Sequence, residues 1–149
     1  MLVSKELESS DRAERIAHAP WIGRREIPPL VRADWTAASG YQAGAMLSRM
    51  DSVTAVFTAN DHIALGLLRA LHERGKRVPQ DVSVVGFDDV PEAAYYWPPL
   101  TTVNQDFGTL GRRALELTLR ALDGEAAPVA ALVEPALVVR ESTGPGRSS

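Results

Sequence analysis

At 149 residues the chain has the size of one ordinary domain, long enough to bury about two-thirds of the surface its unfolded form exposes. Hydrophobic residues make up 45 % and charged residues 23 %, a globular composition, and the lack of cysteine excludes a disulfide scaffold, a thiolate metal site and a cysteine nucleophile. Sixteen basic against nineteen acidic residues leave a net charge of −3, the wrong sign for a chain devoted to nucleic-acid phosphates. No apolar run approaches the ~20 residues of a membrane span, and the amino-terminal stretch mixes both charge signs without an apolar secretory core. A soluble, cytoplasmic, mixed α/β protein is expected.

In chain order, Leu2, Val3 and Leu7 begin an apolar face that the stretch from Ser9 to Glu14 does not continue. Pro20 and the pair Pro28-Pro29 rule out a continuous helix through that region, and Leu30-Val31 reads as a short strand leading to Asp34-Trp35. Thr36 is a helix N-cap, with Tyr41, Ala45 and Leu47 at helical spacing as far as Met50. The uncharged, β-rich run Val53 to Thr58 predicts a strand covered on both faces. Asn60-Asp61 opens a second helix with Ile63, Ala64, Leu67, Leu68 and Leu71 on one face and Gly75 at its end. Val82 to Phe87 is the next strand, running into Asp88-Asp89. An aromatic, proline-bounded connection with Tyr95, Tyr96 and Trp97 follows, then a short strand at Thr101-Thr102-Val103. Phe107, Leu110, Ala114, Leu117 and Ala121 define a third amphipathic helix closed by Gly124; Leu137 to Val139 is a last strand, and Ser142 to Ser149 a polar tail.

Strands alternating with helices imply right-handed βαβ units and a parallel sheet flanked by helices. In such sheets ligands bind beyond the carboxyl ends of the strands. Asn60 and Asp88 both sit at such ends, on the same rim. Successive residues of an extended chain point to opposite sides, so one of Asp88 and Asp89 faces the crevice and the other serves structure. An ionised carboxylate accepts hydrogen bonds only, which suits a ligand bearing hydroxyl or NH groups; a turn-capping Asp is the plainer reading of the same residue. Asn60 reads first as a plain helix cap and second as a contact for a ligand hydroxyl, and the two roles coexist only if its side chain turns away from its own helix. Trp35 and Phe107 offer flat apolar faces to a sugar or purine, or else belong to the core. The aromatic trio at 95–97 is either a core plug or an exposed association patch.

Signals for catalysis are missing. His18, His62 and His72 have neither a GxSxG serine nor an HExxH pattern near them, and the glycines form no phosphate cradle. No cofactor or metal is expected. Between Arg77 and Arg112 there is no Lys or Arg, while Asp81, Asp88, Asp89, Glu92 and Asp106 all fall there. A rim built from this segment disfavours anions and favours neutral or cationic ligands.

The run from Asp34 to Thr143 resembles the carboxyl-terminal part of the LacI/GalR family of bacterial transcription regulators. The matching stretches are DWTAASG at 34–40, VFTANDHIALG at 56–66, VPQDVSVVGFDD at 78–89, PPLTTV at 98–103, QDF at 105–107 and LVVREST at 137–143, in the family's order and spacing. The resemblance implies part of a periplasmic-binding-protein-like lobe over residues 34–143, preceded by a poorly matching segment, 1–33, and followed by a polar tail, 144–149. It also implies a small neutral effector, sugar-like or purine-like, gripped by Asp88, with Asn60 and Gln105 as further polar contacts. Trp35 and Phe107 become aromatic walls, and Arg15 stands about where the family has an effector-clamping arginine. Leu65 and Tyr96 fall on the segments that form the family's twofold dimer interface, so a homodimer is expected. By the same resemblance the chain carries no DNA-binding headpiece and should not bind DNA itself. It would also lack the amino-terminal lobe and the first helix and strand of the carboxyl-terminal lobe, leaving the face of the 107–122 helix without a partner. A solute-binding protein of a transporter, or a small α/β enzyme using Asp88 or His62 as a base, are the alternative readings.

Overall fold

The computed structural model describes residues 2–4, 30–125 and 132–146. Six strands form one sheet in the order β2-β1-β3-β4-β5-β6. They are β1 (Leu2–Ser4), β2 (Val31–Arg32), β3 (Ala55–Thr58), β4 (Ser83–Asp88), β5 (Thr101–Asn104) and β6 (Ala136–Val138). The helices are α1 (Ala37–Leu47), α2 (Asp61–Glu73) and α3 (Phe107–Leu122), with a 3₁₀ turn at Pro91–Tyr95. β1 to β5 are parallel, in keeping with the βαβ reading; β6 returns antiparallel beside β5, pairing Val138 with Thr102 and Ala136 with Asn104. The expected parallel sheet flanked by helices is thus present, with one antiparallel strand added where β6 follows α3 back down the edge.

The expected loss of the first strand is corrected. Leu2–Ser4 lies inside the sheet, between β2 and β3, so the segment before residue 34 contributes two strands. The edge beyond it is only the two-residue β2, too short to offer much to another chain.

α1 and α2 pack against each other over one face of the sheet. Thr36 caps α1 as its residue type predicts, its hydroxyl accepting from the Ser39 N–H at 3.2 Å. The core beneath comprises Ile63, Ala64, Leu67 and Leu71 of α2, Leu47 of α1, and Val56, Val82, Val84 and Leu100 from the sheet and its approaches. The two helices approach so closely that a Cβ at Gly66 would stand 1.7 Å from the Ala37 carbonyl oxygen, and one at Gly40 2.1 Å from that of Ile63. β3 was expected to be covered on both faces; Val56 and Thr58 are buried towards the helices, but Ala55 and Phe57 are exposed on the other side. There Phe57 meets Phe87 edge to face, ring centroids 6.3 Å apart. α3 is amphipathic in sequence, yet none of its residues is buried among those described.

Ser142 ties the chain's return to the sheet. Its hydroxyl donates to the Val84 carbonyl at 2.6 Å and accepts from the Thr101 N–H at 2.8 Å, bridging the amino-terminal halves of β4 and β5.

Candidate functional site

Because β2 to β5 run parallel, the residues that follow them converge on one rim. Trp35 follows β2, Asn60 follows β3, Asp88 ends β4, and Gln105 and Phe107 follow β5. The sequence argument for a shared rim at Asn60 and Asp88 holds in this placement.

Asp88 and Gln105 are brought together: Gln105 Nε2 donates to Asp88 Oδ1 at 2.8 Å. Burial pushes the Asp88 carboxyl above the usual range; the Gln105 bond opposes this and the nearby Asp61 charge adds to it. Asp88 adopts φ 110° and Asp89 φ 54°, two successive non-glycine residues at positive φ. Their side chains diverge. Asp89 accepts from Asn104 Nδ2 at 2.8 Å and from Arg140 Nη2 at 2.7 Å, the structural role expected for one of the two carboxylates. Burial acts to raise the Asp89 carboxyl, but the Asn104 and Arg140 bonds and the Arg140 charge outweigh it and hold it below the usual range.

Asn60 is a helix cap. Its Oδ1 accepts from the Ile63 N–H at 2.7 Å, and its Nδ2 donates to the Trp35 carbonyl at 3.0 Å. Asn60 is buried, 7 % exposed, with its side chain turned onto its own helix, so the plain capping role is the one the geometry carries. The Nδ2 bond ties the Trp35 backbone, at φ 72°, to the start of α2. Trp35 and Phe107 belong to no core: 48 % and 55 % of their surfaces are exposed. Arg15 lies outside the described residues.

Tyr96 requires a correction of placement. It is buried within the core, its hydroxyl pushed up to about 12 by burial and the charges of Asp61 and Glu92, while its neighbours Tyr95 and Trp97 are 88 % and 82 % exposed. The connection is both plug and patch, because the 3₁₀ turn sends adjacent side chains in different directions. Leu65 is exposed on the outer side of α2.

Sequence reasoning passed over Asp61, Asn104 and Arg140, which surround the Asp88-Asp89 turn. The available signal was an acid in the first turn of a strongly apolar helix. A separate cavity of about 330 Å³, lined by Leu68, His72, Arg77 and Trp97 among others, lies at the opposite, amino-terminal ends of β4 and β5. Two of its cations, Lys76 and Arg77, are engaged by Asp51 and Asp81. Among the described residues no cluster of His, Asp or Glu is arranged to hold a metal ion, and no helix is long and apolar enough to cross a membrane.

An open, mostly parallel sheet with polar and aromatic groups at its carboxyl rim is an α/β architecture of the kind that receives ligands beyond the strand ends. The chain belongs to the periplasmic binding protein-like domain family, whose pattern matches residues 8–143. It is homologous to transcriptional repressors. Over 140 residues it is 39 % identical to the lactose operon repressor of Escherichia coli K12, covering 90 % of this chain and 39 % of the repressor. Over 119 residues it is 40 % identical to the HTH-type transcriptional repressor PurR of Escherichia coli O1:K1, covering 78 % of this chain and 35 % of that protein. The lac repressor dimer bound to operator and the anti-inducer ONPF superposes with a TM-score of 0.80 at 38 % identity, over 95 % of this chain and 51 % of that one. The regulator CelR in complex with cellobiose gives 0.79 at 35 % identity, over 95 % and 45 %. The chain thus spans 35–39 % of the length of these two curated repressors.

Proposed function

We propose that this chain is the effector-binding and dimerising part of a LacI/GalR-type transcriptional regulator, working in the cytoplasm. Its ligand is a small neutral molecule, sugar-like or purine-like, held at the carboxyl rim. Asp88 accepts hydrogen bonds from ligand hydroxyl or NH groups, Gln105 adds a polar contact, Asn60 holds the Trp35 backbone, and Trp35 and Phe107 flank the ligand's apolar surface; Arg15 is the remaining member of the set. The observation that carries this reading is the Asp88–Gln105 pair, half-buried and 2.8 Å apart, on the rim where Asn60 is bonded to Trp35. A regulatory role is favoured over solute transport because the similar proteins of known role are repressors. The chain acts by binding and not by catalysis, and operator contact belongs to a headpiece rather than to these residues.

The test is calorimetric titration with a panel of mono- and disaccharides, purine bases and nucleosides. Asp88→Ala removes a charged acceptor worth roughly 1.5–3 kcal/mol, so a ligand bound by the parent chain should bind about ten- to a hundredfold more weakly. Unchanged affinity would remove Asp88 from the site.

A further inference from the structure

Asp61 is fully buried although it is a carboxylate. Its Oδ1 accepts from Thr102 Oγ1 at 2.6 Å and its Oδ2 from the Val90 N–H at 2.9 Å. Val90 follows the Asp88-Asp89 pair directly, and Thr102 lies on β5 beside Gly86 of β4. The exit of the positive-φ turn is therefore tied through the Asp61 side chain to the neighbouring strand. Gly86 makes room for it: a Cβ there would stand 2.1 Å from Asp61 Oδ1. From the other side Arg140 forks, Nη2 to Asp89 Oδ1 at 2.7 Å and Nη1 to the Leu100 carbonyl at 2.8 Å. An apolar residue at 61 would leave the Val90 N–H and the buried Thr102 hydroxyl without this partner, and the turn would lose that tie to β5.

We propose that Asp61 and Arg140 are positioning residues of the rim site. Asp61 holds the N–H that leaves the strained Asp88-Asp89 pair and ties it to Thr102 of β5, Arg140 anchors Asp89, and together they fix the Asp88 carboxylate beside Gln105. The ligand side of this inference rests on the effector reading; the geometric side does not. Neither residue touches the ligand. Each determines the acceptor that does.

The whole 149-residue chain is prepared with Arg140→Met, Arg140→Lys and Asp61→Asn. Two signals are read by NMR without any ligand: the side-chain amide of Gln105, and the carboxyl carbon of Asp88 titrated with pH. In Arg140→Met and Asp61→Asn the Gln105 amide should shift to a solvent-like position, and the Asp88 midpoint should fall towards that of an ordinary aspartate as the carboxylate hydrates. Arg140→Lys keeps a cation near Asp89 but not the fork, and should lie between. With cellobiose as the probe, a parent chain that binds it should lose about tenfold in affinity in Arg140→Met, the size typical of an outer-shell partner. A lower melting temperature with unmoved Gln105 and Asp88 signals would overturn the proposal and leave only a structural role. If Asp61→Asn does not fold, the Arg140 variants decide, since that ion pair is partly accessible. A parent chain that binds none of the sugars or purines sinks the effector reading, while the two NMR signals still settle the positioning.

Discussion

Asp34 shows how a surface residue shapes the rim at a distance. Its Oδ1 accepts from the Thr36 hydroxyl at 2.6 Å, and its own N–H donates to Ser39 Oγ at 3.1 Å, closing a loop around Trp35. Hydrogen bonds from Ser39 and Thr36 hold its carboxyl down to about 2, against an ordinary 3.8. A carboxyl depressed on folding stabilises the fold above its unfolded pKa and loses that contribution as pH falls through the folded one. The stability difference between the parent chain and Asp34→Asn should therefore be full at pH 6, shrink through the window between the unfolded 3.8 and the folded value of about 2, and vanish only below the latter, as denaturant midpoints across pH would show. A constant difference would mean that the bonds, and not the charge, matter. Residue roles were partly legible in the sequence. Placement at strand ends singled out Asn60 and Asp88; the separation of Asp88 from Asp89 was expected from an extended chain, but a positive-φ turn is what the two residues form. The partners Asn104 and Arg140 were not legible, because they reach the turn from residues 15 and 51 positions away. Asp61 was hidden by its own helix: an acid in a first turn is ordinary, and only the fold reveals that it is buried.

Among the elements, the crossing of α1 and α2 is the tightest constraint. Gly66 has no space for a methyl group against the Ala37 carbonyl, so Gly66→Ala must force the helices apart; Gly111 in α3 has nothing within 4 Å of the same methyl position. Overpacking of this kind costs about 1–3 kcal/mol or more, whereas an exposed mid-helix Gly→Ala gains roughly 0.5–1 kcal/mol. Urea unfolding should therefore show the two substitutions with opposite signs, and equal effects would refute the crossing geometry. The sequence announced two of these helix starts well, Thr36 and Asn60 capping the helices they precede; Asp106, read only as part of an acidic run, caps α3 in the same way. Sequence reasoning misjudged coverage. The uncharged run at 53–58 contains Phe57, whose ring finds Phe87 instead of a helix, and composition alone does not separate these two outcomes. Leu2–Ser4 was equally hard to read, three residues whose strand partners, Val31 and Phe57 among them, lie far along the chain.

At the scale of the whole molecule, two exposed apolar sites bear on assembly. One is Leu65 on the outer side of α2, the segment that the family resemblance places in a twofold interface, where an apolar surface meeting its own copy suits an isologous dimer. Sedimentation should show a dimer for the parent chain and a monomer for Leu65→Asp; a monomeric parent at high concentration would refute the interface. The other is α3, with Phe107, Leu110, Leu115, Leu119 and Leu122 all exposed. This helix leaves the sheet after Asn104 and the chain returns at Ala136, and those two residues face each other as an antiparallel pair. The whole excursion therefore starts and finishes at one gap, narrow enough to be closed by a two-residue Asn-Gly turn. Excising residues 105–135 and joining Asn104 to Ala136 in this way would turn β5 and β6 into a plain hairpin and leave the core, the Ser142 stitch and the Asp89–Arg140 pair in place. Such a miniature should still unfold cooperatively while lacking Gln105 and Phe107, separating the part of the chain that folds from the part that grips. Non-cooperative melting would instead make α3 a strut on which the sheet depends.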